Sequence, residues 1–245
     1  MFGFGLSRKA FGLLGSFIIG VSAPMTATAF EVQPMRHSLF PMGGQNSGLF
    51  TVRNTRQEPL PVEIVVAKRV FQDDGQRSET PADEDFVVFP FQALIQPGET
   101  QAFRFQYVGD LNLNEETAYT IHAKEVPVDP GPGFSGLRYV YSFGVAVYIE
   151  DAEAESDLSI SKVTRSDDVL TLTIENAGTS FARLTNDRFI VTQGDTRLEL
   201  EGEDLTSKIN TVIVPPMRAV ELTLDLTDLG LSADQIGVRI RERPD

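Results

Sequence analysis

Between Gly136 and Glu150 the sequence GLRYVYSFGVAVYIE alternates without a break. Leu137, Tyr139, Tyr141, Phe143, Val145 and Val147 form one apolar file, and Arg138, Val140, Ser142, Gly144, Ala146 and Tyr148 form the other. A period of two, rich in Tyr, Val and Phe, predicts a β-strand and does not fit the 3.6-residue period of a helix face. Strands average about 5–6 residues, so a strand over residues 137–149 is unusually long. At a sheet edge it would present a row of unpaired backbone groups, and proteins keep such edges only where they are covered or used. A strand buried in its own sandwich has the same pattern, so periodicity alone leaves both readings open.

Segments of strand character precede this one at residues 47–53, 62–69, 86–89, 93–95, 100–108 and 118–126. Turn signals separate them, at Asp73-Asp74-Gly75, Gln96-Pro97-Gly98 and Asp129-Pro130-Gly131-Pro132. About seven short strands in little over 100 residues fit one immunoglobulin-like sandwich. Residues 150–157, EDAEAESD, then carry five acidic side chains and little that packs, as an exposed linker does. A second β set follows at residues 158–163, 169–176, 188–192, 198–201, 211–214, 220–225 and 238–241. Pro215-Pro216 marks a turn, and residues 228–235 have room for one helical turn. The chain is expected to be all-β: two sandwiches in tandem, at residues 30–150 and 157–245, with the alternating strand leading into the cleft between them.

The first 29 residues read as an export signal. Arg8 and Lys9 are its basic region, residues 10–21 its apolar stretch, too short to span a bilayer, and Ala27-Thr28-Ala29 a cleavage site before Phe30. The chain has no cysteine, so an exported form has no disulfides and is held by its cores alone. The formal net charge is −14, and loss of Arg8 and Lys9 makes it more negative still. Such a balance disfavours nucleic acid and anionic lipid as partners.

Enzymatic constellations do not emerge. Only His37 and His122 are present as histidines, and the nucleophile-elbow, zinc-protease and phosphate-loop motifs are absent. The expectation is a non-enzyme without cofactor or metal, its acidic pairs such as Glu115-Glu116 being solvated loop charges.

Four stretches, in order, resemble a known family. They are Arg36 with Leu39-Phe40; Leu49 to Asn54 followed by Pro61 to Ile64; Phe86 to Phe91 with Leu94-Ile95-Gln96-Pro97-Gly98-Glu99 and Phe103-Arg104; and Tyr119 with Lys124-Glu125-Val126-Pro127. Together these resemble PapD-like periplasmic chaperones of the pilus chaperone–usher pathway, and Leu170 to Asn176 and Val212 to Pro216 match more loosely.

The resemblance implies two tandem immunoglobulin-like domains in an L- or boomerang-like arrangement. It implies that the last strand of the first domain completes a pilin-type subunit lacking its own final strand, and that the subunit then passes to an outer-membrane usher. By position Leu137, Tyr139, Tyr141 and Phe143 would enter the subunit. Arg36 matches the arginine with which the family anchors the subunit's terminal carboxylate. The companion lysine is replaced by Ala146, which leaves Lys124 or Arg138 as substitutes. Self-capping of the edge by dimerisation is a further expectation. Two other classes compete: a secreted two-domain adhesion or structural module with residues 137–149 fully buried, and a glycan hydrolase, which needs two carboxylates roughly 5–10 Å apart in a cleft.

Overall fold

The computed structural model describes residues 30–41, 44–72, 77–128, 139–231 and 236–242. The expected signal peptide, Leu137 and Arg138 lie outside the described residues.

Ten strands build the N-terminal sandwich: β1 (Glu31–Gln33), β2 (Arg36–Leu39), β3 (Ser47–Arg53), β4 (Leu60–Phe71), β5 (Arg77–Pro81), β6 (Phe86–Phe89), β7 (Gln92–Ile95), β8 (Thr100–Tyr107), β9 (Thr117–Glu125) and β10 (Ser142–Ile149). One sheet has the order β1-β3-β8-β6, the other β2-β10-β9-β4-β5, with β7 also on β4. Two of the crossings between the sheets pass through cis proline bonds. The chain crosses from β1 to β2 through the cis Gln33–Pro34 bond and from β6 to β7 through the cis Phe89–Pro90 bond.

Alternation explains the core. Phe50 and Val52 of β3 face Phe103, Phe105 and Tyr107 of β8 and Tyr119 and Ile121 of β9, all buried. Phe50 and Phe103 stack with centroids 5.4 Å apart, and Phe86 meets Tyr119 edge-on at 5.0 Å. Asn54, fully buried just after β3, ties down the next loops. Its amide donates to the carbonyls of Glu58 (2.8 Å) and Ile95 (2.9 Å), and its side-chain oxygen accepts from the Arg56 N–H (2.9 Å).

The C-terminal sandwich contains β11 (Leu158–Ser166), β12 (Val169–Asn176), β13 (Ala182–Arg183), β14 (Asp187–Gln193), β15 (Thr196–Leu200), the one-turn helix α1 (Gly202–Thr206), β16 (Ile213–Val214), β17 (Arg218–Asp225) and β18 (Gly237–Glu242). Its main sheets are β11-β12-β17 and β15-β14-β18, with a small β13-β16 pair beside them. A separate core gathers Leu170, Leu172, Ile174, Phe189, Val191, Leu222 and Leu224. Asn176 repeats the device of Asn54: its oxygen accepts from the N–H groups of Asp157 (3.0 Å) and Gly178 (3.1 Å), and its amide donates to the Ser180 carbonyl (2.8 Å).

Two expectations need correction. The alternating strand begins at Ser142, not at residue 137. Tyr139 to Tyr141 precede it, although the Tyr141 carbonyl still accepts from the Glu125 N–H at 2.9 Å. It is eight residues long, and β4, with 12, is longer. The ladder stops because β9 ends at Glu125, and alternation in sequence carries no record of where a partner strand ends. The helical turn lies at residues 202–206, while Thr227 and Asp228 form a turn closed by the Leu229 N–H on the Leu226 carbonyl (3.0 Å), and residues 232–235 fall outside the described residues.

Candidate functional site

Strand β10 has β9 on one side along its full length. On the other side β2 pairs with it, in parallel, only from Ala146 to Ile149. The Ala146 N–H donates to the Met35 carbonyl (2.9 Å) and the Glu150 N–H to the Leu39 carbonyl (2.8 Å), so even-numbered residues turn their backbone groups away from β9. By the same alternation Ser142 and Gly144 point outward, and no strand among the described residues meets them there. Half of the edge is thus covered and half is open.

The apolar file divides in the same place. Val145, Val147 and Ile149 are fully buried in the N-terminal core. Phe143 and Tyr141 are half-buried against it, Phe143 meeting Phe30 edge-on at 4.7 Å. Tyr139 is 68% exposed, far too open for a core residue, and Val140 beside it is 50% exposed. Of the expected site residues, Tyr139, Tyr141 and Phe143 lie in one row at the open half of the edge, while Leu137 lies outside the described residues.

Tyr141 is held by a half-buried ion pair. Arg56 donates to both oxygens of Glu125, Nη1 at 2.7 Å and Nη2 at 2.8 Å, and its guanidinium lies 5.3 Å from the Tyr141 ring centre. The Glu125 side chain is 2% exposed. The hydrogen bond to Glu125 raises the Arg56 pKa, so the cation is permanent.

Arg36 stands at the other end of the open stretch, opposite Ala146 in register. Its guanidinium lies 5.1 Å from the Tyr148 ring centre, and two more arginines share that ring: Arg183 of the C-terminal sandwich at 4.6 Å and Arg69 of β4 at 5.8 Å. Glu150 is paired with two of these arginines, 3.8 Å from Arg36 and 3.4 Å from Arg183, and lies 2.6 Å from the Ser38 hydroxyl that donates to it, while Arg69 faces Glu79 across the β4–β5 ladder. Burial, and next the Arg183 cation, lower the Arg36 pKa. The group therefore has cationic charge to spare and would gain from another anion. The cations that accompany Arg36 are Arg183 and Arg69. Lys124 lies opposite Ser142, four residues along β10 from Ala146, and Arg138 is outside the described residues.

Tyr148 also packs between the two sandwiches, in a small cluster with Ala118 and Phe181, where Phe181 meets it edge-on at 5.3 Å. Beside it the buried Glu116 accepts from the Phe181 N–H (2.8 Å) and the Ser180 hydroxyl (2.8 Å) of the C-terminal sandwich. Sequence reading placed Glu116 among solvated loop charges and passed over Tyr148, Arg69 and Arg183. These contacts join residues far apart in sequence, and no local pattern marks them. Among the described residues no group of three or more His, Asp or Glu side chains is placed to hold a metal.

Comparison with known proteins places this geometry. The family described as "Pili and flagellar-assembly chaperone, PapD N-terminal domain" matches residues 32–138. A search of curated proteins gave no match. Among solved structures, the chaperone CfaA of class 5 fimbriae is similar with a TM-score of 0.56 at 15% identity, over 88% of this chain and 100% of its own. A chain of the CFA/I chaperone–tip adhesin complex gives 0.56 at 15%, over 87% and 99%. A chain of the CsuC–CsuE chaperone–tip adhesion subunit complex of Acinetobacter baumannii gives 0.55 at 16%, over 88% and 98%. These likenesses span both sandwiches and concern the fold. Residues 32–138 thus carry the PapD-type N-terminal domain, and the two-sandwich fold is shared along nearly the whole of those solved chains.

Proposed function

We propose that this protein is a periplasmic chaperone for pilin-type subunits, which it holds by lending the open half of the β10 edge before delivery to an outer-membrane usher. The observation that carries this reading is the half-covered edge, with outward backbone groups at Ser142 and Gly144 and the exposed Tyr139 beside them. An extended client segment adding there gains main-chain hydrogen bonds, and the row Leu137, Tyr139, Tyr141, Phe143 supplies side chains for a client's unfilled core. The named complexes of similar chains with tip adhesin subunits support the same reading. The expected export signal puts the chain where such clients fold.

The direction of the client strand follows from the cleft. β2 runs parallel to β10 and begins opposite Ala146. A client strand in line ahead of β2, with its terminal carboxylate at Arg36, must also run parallel to β10. Arg183 and Arg69 take the part of the missing lysine, and Glu150 gives up part of its hold on Arg36 and Arg183 when the carboxylate arrives.

Co-expression with a pilin-type subunit tests this. The expected result is a soluble one-to-one complex that Tyr139→Asp weakens and Tyr139→Asp with Tyr141→Asp abolishes, while far-ultraviolet circular dichroism shows the fold retained. Arg36→Ala should weaken the complex by about tenfold or more, the range of a lost charge-assisted pair. A complex that survives the double tyrosine change intact overturns strand lending. A fully buried Tyr139 is what the adhesion-module reading requires, and its exposure argues against that reading.

A further inference from the structure

A second charged surface lies on other elements, the solvent face of the β15-β14-β18 sheet. Phe189, Val191, Leu198, Leu200, Val238 and Ile240 turn into the core. Their neighbours therefore form an outer grid. Arg188 stands opposite Arg241, Ile190 between Glu199 and Arg239, and Thr192 opposite Arg197. Four arginines on one small sheet face are unusual in a chain of net charge −14. Like charges directly across a ladder, as at Arg188 and Arg241, also cost stability.

The two flanks of β14 differ. Toward β15, Arg188 donates to Glu199 through Nη1 (2.7 Å) and to Glu201 through Nε (2.9 Å), and Arg197 donates to the other Glu199 oxygen (2.7 Å). The carboxylates there are two residues apart. Toward β18 stand Arg239 and Arg241, also two residues apart, with no ion pair among the described residues. Arg188, Arg197, Arg239 and Arg241 wall a cavity of about 410 Å³ with Ile190 and Thr192 at its floor.

We propose that this face binds an extended acidic segment of another protein, with carboxylates two residues apart that pair with Arg239 and Arg241 as Glu199 and Glu201 pair on the other flank. In an extended chain every second side chain recurs after roughly 6.6–6.8 Å on one side, the same spacing that separates Arg239 from Arg241 along β18. Charge and spacing both match such a segment, since Arg239 and Arg241 recur along β18 as alternate carboxylates recur along an extended chain, and a segment presents few charges to the acidic remainder of the molecule. The surface and its partner are independent of the β10 edge.

A labelled peptide containing Glu-Ala-Glu-Ala-Glu, titrated into the full chain and followed by fluorescence anisotropy at low salt, provides the test. Binding is expected, weakened about tenfold by Arg239→Gln with Arg241→Gln and lost with the Gln-Ala-Gln-Ala-Gln peptide. Raising the salt should weaken it further, as exposed charge pairs are screened. Absence of binding, or equal binding to parent and variant, overturns the proposal. Inorganic phosphate competing as well as the peptide would mark a simple anion site and overturn the segment. Self-association in sedimentation that the double variant abolishes would identify a second copy as the occupant, which also overturns it.

Discussion

Glu116 shows how much a single side chain can be asked to do. It is a carboxylate buried between two sandwiches, and burial raises its pKa against the opposing hydrogen bonds from Phe181 and Ser180. An acid whose folded pKa exceeds its unfolded value binds more protons when folded. Its contribution is therefore most favourable below the unfolded value, about 4.3, and declines as pH rises through the folded value. Glu116→Gln keeps an oxygen for both donors and removes the charge. The stability of the parent relative to this variant, from denaturant midpoints, should fall as pH rises from about 4.3 toward neutrality. A difference that stays flat with pH would show that Glu116 is not the titrating group. Nothing local in Asn114-Glu115-Glu116 reveals this burial, whereas Asn54 and Asn176 at least end stretches that the family resemblance had marked.

At the scale of elements, alternation was a good guide where both neighbours of a strand persist. β9 and β12 follow their sequence patterns because each has long neighbours on both sides, and β3 and β8 keep theirs through the long ladder they share, although β1 and β6 cover only part of their outer sides. It was a poor guide to short or exposed pieces. β1 and β2 have three and four residues, too few to show a period, and every residue of β5 is exposed. β10 lies between these cases, its inner half core and its outer half edge. Gly144 sits where the halves meet, and a Cβ there would come within 2.6 Å of the Thr120 Cγ2. Gly144→Ala should therefore destabilise the N-terminal sandwich by about 1–3 kcal/mol, the usual cost of overpacking. Thr120→Ser in the same chain removes the obstructing methyl but keeps the hydroxyl that bonds Glu79 (2.6 Å) and receives the Arg69 Nε–H (2.8 Å). It should restore most of the loss in urea unfolding. If it restores none, the steric explanation is wrong.

For the whole molecule, the contact between sandwiches is small and mixed. Phe181 joins Phe71 and Tyr148, and Glu116 binds the loop around it. Phe181→Ala should cost about 3–5 kcal/mol if the site is as tightly filled as a core, and less if the sandwiches can settle together. Calorimetry would then show two separated unfolding transitions in place of one. A single unshifted transition would mean that Phe181 does not couple them. The fold class was legible from strand count and turns, but the cleft was not, because Arg36, Arg69, Tyr148 and Arg183 meet only once both sandwiches are folded and joined.

The partial cover that β2 gives β10 has one more consequence. Since β2 already occupies the outer edge from Ala146 onward, an incoming strand cannot slide toward the cleft beyond that point. Under the proposed strand lending, the first residue of β2 would act as a buffer stop. It would set how many residues a visitor can insert and fix which of them point inward, since a slip of one residue would turn every side chain to the wrong face.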